Sequence, residues 1–190
     1  MKVGILAFQG DFVLHSKILK KLNVENIFVK SIEDLNSSDA LIIPGGESTV
    51  MSKMINLYNL TNPLQKYSLT KSIYGTCAGA ILMSSKIKDP IVKPLKIIDV
   101  AVHRNSWGRQ IDSFSQNISL DFSTKKFIAK FIRAPKFKCL GKKLKVLASI
   151  DNEPILIESS RHLISSFHPE LGNDTRIHNY FLKKAFNGKI

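Results

Sequence analysis

An α/β fold on a mostly parallel central sheet, with an added antiparallel portion, is predicted by three features of this 190-residue sequence. Apolar strand-like runs alternate with amphipathic helical patterns in the first half, the signature of parallel strands joined by helices. From Lys96 onward strand-like runs follow one another directly, which suits antiparallel pairing. No low-complexity linker or internal repeat interrupts the chain, whose length is enough for one well-buried domain and short for two.

The elements follow in order. Lys2 to Phe8 reads as a buried first strand, and Asp11 can cap a helix whose Phe12, His15, Ile18, Leu19 and Leu22 fall near helical spacing. Asn26 to Lys30 is a second strand and Ala40 to Ile43 a third, broken by Pro44-Gly45-Gly46. Glu47-Ser48-Thr49 then opens a helix through about Leu57. Ile73 to Gly75 is a short fourth strand, and Ala78 to Met83 a helix. Strands are predicted over Lys96 to Val102, Lys126 to Ile132, Lys145 to Ile150, Pro154 to Glu158 and His162 to Phe167. A final helix from about Asp174 to Phe186 buries Ile177, Tyr180, Phe181 and Ala185. In sheets of this kind, sites gather at the carboxyl ends of the strands.

Composition narrows the function classes. The opening residues, with Gly4, Gln9, Gly10 and Asp11, lack the basic region, apolar stretch and cleavage site of a secretory signal. No run approaches the ~18 apolar residues of a membrane span, so a cytoplasmic protein without membrane association is expected. Cys77 and Cys139 are too few for a disulfide framework and have no zinc-like spacing, so neither a metal nor another cofactor is expected. The net charge of +13 raises the possibility of nucleic acid, but the lysines are scattered. Only the stretch from Lys125 to Lys145 is concentrated, and a solvated face accounts for it. Binding of nucleic acid is therefore not expected, although a basic surface can attract an acidic partner or anionic substrate.

The chemistry concentrates at three strand ends. Cys77 sits in Ile73-Tyr74-Gly75-Thr76-Cys77-Ala78-Gly79-Ala80, a strand-to-helix turn that lifts a side chain clear of the sheet and leaves the following N–H groups at a helix N-terminus. Negative charge is favoured there, and a thiolate is the reactive form of cysteine. By itself the segment also fits a buried structural cysteine. Ser165-Ser166-Phe167-His168-Pro169-Glu170 closes another strand. Pro169 disfavours a helical conformation at His168, so an extended pair would put His168 and Glu170 on one face. The carboxylate then orients the imidazole, whose other nitrogen takes a thiol proton. A lone histidine at a strand end is commonly a surface residue, but the elbow cysteine and the carboxylate give this one a task. Pro44-Gly45-Gly46-Glu47-Ser48 is the third strand end. It reads either as a simple turn or as a loop that, with the Ala78 N–H, offers two donors to an oxyanion.

These segments together resemble the triad-type class I glutamine amidotransferases, and among them the glutaminase subunits of pyridoxal 5′-phosphate synthase. The general marks are Gly75-Thr76-Cys77-Ala78-Gly79 and His168-Pro169-Glu170. The discriminating ones are Leu6 to Gly10, Ile43 to Thr49, Arg104-Asn105-Ser106-Trp107-Gly108-Arg109-Gln110 through Phe114, Phe131-Ile132-Arg133-Ala134-Pro135, and Ser166 to Leu171. The resemblance implies a three-layer, flavodoxin-like fold, a Cys77-His168-Glu170 triad and a glutamyl thioester on the way from L-glutamine to glutamate and ammonia. It maps glutamine recognition onto Gly46, Glu47, Ser48, Arg104, Ile132 and Arg133, and an oxyanion or regulatory role onto Gly45, Ala78, Gln9 and Gly10. It also implies a separate barrel-shaped synthase subunit that receives the ammonia. Trp107 replaces the family's usual phenylalanine, and His103 stands where an acidic residue is frequent. The competing readings are a glutaminase subunit from histidine or folate biosynthesis and a non-catalytic binding module on the same fold.

Overall fold

The structure is a computed structural model that describes residues 1–104 and 113–187. The first half runs β1 (Lys2–Leu6), α1 (Phe12–Lys21), β2 (Glu25–Val29), α2 (Ile32–Asn36), β3 (Ala40–Ile43), α3 (Ser48–Leu57), α4 (Thr61–Thr70), β4 (Ser72–Thr76) and α5 (Ala78–Met83). The second half runs β5 (Ser84–Ile87), β6 (Ile98–His103), β7 (Ser113–Leu120), β8 (Ser123–Ile132), β9 (Lys136–Lys138), β10 (Lys145–Ile150), β11 (Glu153–Glu158), β12 (Leu163–Ser165), a 3-10 turn at Pro169–Leu171, and α6 (Arg176–Ala185).

The main sheet has the order β10-β11-β12-β4-β3-β1-β2. Its five strands from β12 to β2 are parallel, while β11 and β10 add an antiparallel hairpin at one edge. Strands β5, β6 and β9 form a second small sheet, and β7 pairs with β8 as a ribbon. Side chains alternate across the main sheet and build two cores. Leu6, Leu41, Ile43, Ile73 and Ile164 pack on one face with Leu35, Met51, Leu64 and α5. Val3, Ile5, Ile42, Tyr74 and Leu163 pack on the other with Leu19, Phe131, Phe167 and Phe181. Two cores on one sheet make the three layers that the period-two alternation requires.

Several elements go beyond the sequence expectation. Helix α2 is only five residues long and is held by a capping box: Ser31 Oγ accepts from the Asp34 amide at 3.2 Å, and Asp34 accepts from the Ser31 amide at 3.1 Å. Helix α4 carries Pro63 in its first turn, where a missing N–H is tolerated, and buries Leu64, Tyr67 and Ser68. Strands β5, β7 and β9 also emerge only in the structure. The strand expected from Lys2 to Phe8 stops at Leu6, and the one expected from His162 to Phe167 keeps only Leu163–Ser165. In both cases the chain leaves the sheet early to turn toward the same edge.

Candidate active site

Because β1, β3, β4 and β12 are parallel, their carboxyl ends lie on one edge, and each delivers a segment there. After β4, Cys77 takes φ 45° and ψ −101°, a conformation costly for a side-chain-bearing residue. It is held from both sides. Its amide donates to the Ser165 carbonyl of β12 at 2.8 Å, and its carbonyl accepts from the Ile81 amide of α5 at 3.1 Å. The side chain is 6% exposed, with Sγ 3.8 Å from the Ile132 carbonyl.

After β12, the His168 amide donates to the Lys130 carbonyl of β8 at 2.8 Å. His168 avoids the helical region, at φ −108° and ψ 86°, as a residue before proline should. The expected extended pair is corrected, however: Pro169–Leu171 turns into a 3-10 helix, and this turn brings Glu170 back beneath the ring. Glu170 Oε1 lies 2.7 Å from His168 Nδ1. With Nδ1 engaged by Glu170, Nε2 is the ring nitrogen left to exchange a proton with Cys77, whose proximity raises the His168 pKa. Burial by itself would lower the His168 pKa, but Asp11, Cys77 and Glu170 around the ring override it and push it up to about 12. Burial also draws Glu170 upward against its bond to His168, so the two groups share a proton and titrate as a unit. The ring is favoured as imidazolium facing carboxylate.

Asp11 is a site residue that the sequence assigns only to a cap. Its side chain makes no capping bond to α1; instead its Oδ2 lies 3.5 Å from His168 Nδ1. With Glu170 at 2.7 Å, that distance makes Asp11 a neighbouring charge rather than the partner. Asp11, His168 and Glu170 each bring a possible ligand atom within 4.8 Å of the others, yet both carboxylates converge on one ring nitrogen, which a metal would have to take from Glu170.

Above the thiol lies a cleft of about 230 Å³. That is small beside the ~300–1,000 Å³ of pockets for drug-sized ligands and suits a single amino acid. It is lined by Gln9, Gly46, Glu47, Ser48, Cys77, Arg104, Ile132, Arg133 and His168 from the predicted set, and by Asp11 and Ile81 outside it. Glu170, Gly45, Gly10 and Ala78 sit just behind this lining. A methyl group at Gly45 would be driven into the His168 ring, and Gly10, at φ 96°, abuts the Gly45 carbonyl, so close backbone approach explains both glycines. Ala78 opens α5, so its amide has no acceptor within the helix. Gln9 Oε1 accepts from the Glu47 amide at 2.7 Å, tying the ends of β1 and β3 together.

Charge in the cleft comes from Glu47 and Arg104. Glu47 caps α3 by accepting from the Thr49 amide at 3.0 Å and the Val50 amide at 2.7 Å. Burial tends to raise its carboxyl, but these backbone donors prevail and hold it below the usual carboxylate range. Arg104 lies 3.4 Å from Glu47 and is paired with Asp89, another contact the sequence does not announce. Arg133 holds a positive φ of 42° at the cleft wall. The residues from Asn105 to Asp112, including Trp107, lie outside the described residues.

A parallel sheet flanked by helices, with an elbow cysteine facing a His-Glu pair, is the fold of class I glutamine amidotransferases, and solved structures agree. One titled as a glutamine amidotransferase is 40% identical, with a TM-score of 0.92 over 96% of this chain and 98% of its own. A putative GMP synthase subunit from Thermoplasma acidophilum, 15% identical, shares the fold with a TM-score of 0.71 over 98% of this chain and 94% of its own. The chain belongs to the SNO glutamine amidotransferase family, whose profile matches residues 5–187. Among its relatives, a pyridoxal 5′-phosphate synthase subunit PdxT from Pseudothermotoga lettingae is 45% identical over 97% of this chain and 96% of its own length. The protein of the same description from Thermosipho africanus is 44% identical, covering 96% and 97%.

Proposed function

We propose that this protein is the glutaminase subunit of a pyridoxal 5′-phosphate synthase, hydrolysing L-glutamine and passing ammonia to a synthase subunit. The observation that carries the reading is the 2.7 Å bond from Glu170 to His168 beside a buried Cys77 at the floor of an amino-acid-sized cleft. Relatives described as synthase subunits at 44–45% identity over nearly the whole chain support the pathway.

Cys77 attacks the side-chain amide carbon, and a carbon–sulfur bond forms while His168, as imidazolium, holds the proton that the sulfur has given up. His168 returns that proton to the departing nitrogen, the carbon–nitrogen bond breaks, and ammonia leaves a glutamyl thioester. Water, deprotonated by the same ring once it is neutral, then adds to the thioester carbon, the carbon–sulfur bond breaks, glutamate leaves, and the Cys77–His168 pair returns to its starting state with the proton on the ring. Glu170 stays ionised and keeps the ring aimed. Ala78 and the Gly45-Gly46 loop supply N–H donors to the oxygen that gains charge. Arg104 or Arg133 suits the substrate α-carboxylate, and Glu47 its α-ammonium. Gln9 and Gly10, which brace the oxyanion loop, are the regulatory contact.

Ammonia is protonated in water near neutral pH and loses its nucleophilicity, so the product calls for a receiving partner. The test is release of ammonia and glutamate from L-glutamine, with and without the barrel-shaped synthase subunit, for the native chain and Cys77→Ala. Activity is expected to require Cys77 and to rise with the synthase. Turnover by Cys77→Ala equal to the native rate defeats the mechanism, and equal native rates with and without synthase defeat the coupling.

A further inference from the structure

Glu170 is 3% exposed, and its two oxygens are treated differently. Oε1 meets His168, whereas Oε2 has no hydrogen-bond partner among the described residues. A buried carboxylate oxygen left this way is expensive. The group it faces is Nε2 of His15, on α1, at 3.5 Å, about 0.3 Å beyond the usual N–H···O range. His15 is fully buried and outside the cleft lining. Its Nε2 also lies 3.3 Å from the Thr76 hydroxyl, next to Cys77, and its Nδ1 lies 2.9 Å from Nε2 of His178 on α6. His178 is fully buried too, and its Nδ1 has no partner among the described residues.

These contacts choose a tautomer. If His15 carried its proton on Nδ1, it would donate to His178 and aim the Nε2 lone pair at Glu170. His178 would then carry its own N–H on a buried nitrogen with no acceptor, so both ends would be penalised. With the proton on Nε2, His15 donates toward Glu170, His178 donates to His15, and only a bare lone pair on His178 goes unused. This second arrangement leaves no N–H without an acceptor, since the Thr76 hydroxyl accepts from His15 Nε2 at 3.3 Å while the same N–H faces Glu170.

We propose that His15 is a positioning residue for the triad: its Nε2–H holds Glu170 ionised and oriented, and His178 locks His15 in the tautomer that can do so. The proposal rests on the glutaminase reading for its role in turnover, but the geometry it describes stands apart from the substrate. Burial, followed by the charges of His178 and His168, keeps the His15 pKa well below the ordinary imidazole value, so the ring stays a neutral donor. The titratable and charged groups around the His15–Glu170 pair are His168 ahead of the 3-10 turn, His178 from α6, Tyr74 from β4 and Asp11 ahead of α1.

The test measures alkylation of Cys77 by chloroacetamide from pH 4.5 to 9 in the full-length native chain, His15→Leu and His15→Gln. The Cys77 peptide is followed by mass spectrometry, so Cys139 does not interfere. In His15→Leu the acid limb should move up by about one pH unit, with alkylation near pH 6 about tenfold slower, because Glu170 is then protonated more easily. His15→Gln retains an N–H at similar reach and should recover much of this. With glutamine and the synthase, the loss should fall on kcat and leave KM within about twofold. An unmoved acid limb in His15→Leu, or equal shifts in both variants, overturns the proposal. Should the Leu variant not fold, the nitrogen-15 spectrum of the native chain decides: protonation at His15 Nε2 is the expected result, and protonation at Nδ1 overturns it. If the native chain fails to hydrolyse glutamine, the glutaminase reading falls while the alkylation and spectral results still judge His15.

Discussion

Gly45 limits how far the triad tolerates change, because its Cα lies against the His168 imidazole where a methyl group would collide with the ring. Gly45→Ala is therefore expected to displace His168 from Cys77, and misplacement of about 1 Å costs on the order of 10²-fold in rate. Steady-state glutaminase assays check this, with kcat falling and the folded structure retained by circular dichroism. On the proposed mechanism, His168→Asn removes the proton-transfer group itself, and about 10²–10⁴-fold should be lost. Arg104→Ala belongs to binding: it lines the cleft beside Glu47, so the effect should appear as a raised KM for glutamine. At this scale Cys77, His168 and Glu170 are legible in the sequence because each sits in a short segment with its own local geometry. Asp11 and His15 are not. Asp11 reads as a helix cap and His15 as one more position on an apolar helix face, and their tasks depend on His168 and Glu170, more than 150 positions away.

Helices α1, α3 and α5 each start where a parallel strand ends, so helix termini and site residues share the same few positions. Glu47 shows the consequence, since one carboxylate caps α3 and also meets Arg104. Helix α2 carries a cap with no link to the cleft, which makes it a clean stability probe. Ser31→Ala removes half of its capping box and should cost roughly 0.5–2 kcal/mol in denaturant unfolding, with glutaminase activity unchanged. Among the elements the sequence does not announce, α2, β5 and β9 are short, and three to five residues display too little periodicity to stand out. The turn at Glu170 illustrates a subtler limit. Pro169 correctly keeps His168 out of the helical region, but proline also readily begins a helical turn, and that second preference governs Glu170.

Across the whole molecule, the basic charge is partly absorbed within the fold. Lys136 and Lys138 meet Glu153, Lys145 meets Asp121, and Lys130 donates to the Leu171 carbonyl, so much of the stretch from Lys125 to Lys145 is engaged at home. Among the described residues no helix is long and apolar enough to cross a membrane. Buried histidines set the acid stability. Burial, with the charges of Arg161 and Lys184, lowers His162 to about 4, and burial lowers His178 to about 3. The unfolded chain protonates both near pH 6.5, so below that pH it binds more protons than the native state and stability falls toward pH 4. By pH 4.5 each should withdraw roughly 2.5 kcal/mol. Thermal melts at pH 7, 5.5 and 4.5 check this, and His162→Gln, which cannot titrate, should flatten the decline.

The sequence by itself determined the alternation of strands and helices, the two-sided apolar pattern and the three segments that carry Cys77, the His168–Glu170 pair and the glycine loop. Those properties are local, set by side-chain period, proline and glycine geometry and helix starts. Only the tertiary structure decided that a 3-10 turn brings Glu170 to His168, that Asp11 turns from its helix toward the ring, and that His15 and His178 close behind Glu170. The reason is that parallel strands bring their carboxyl ends to one edge whatever their separation along the chain. Contacts made there obey distance in space, which no spacing within a single segment records.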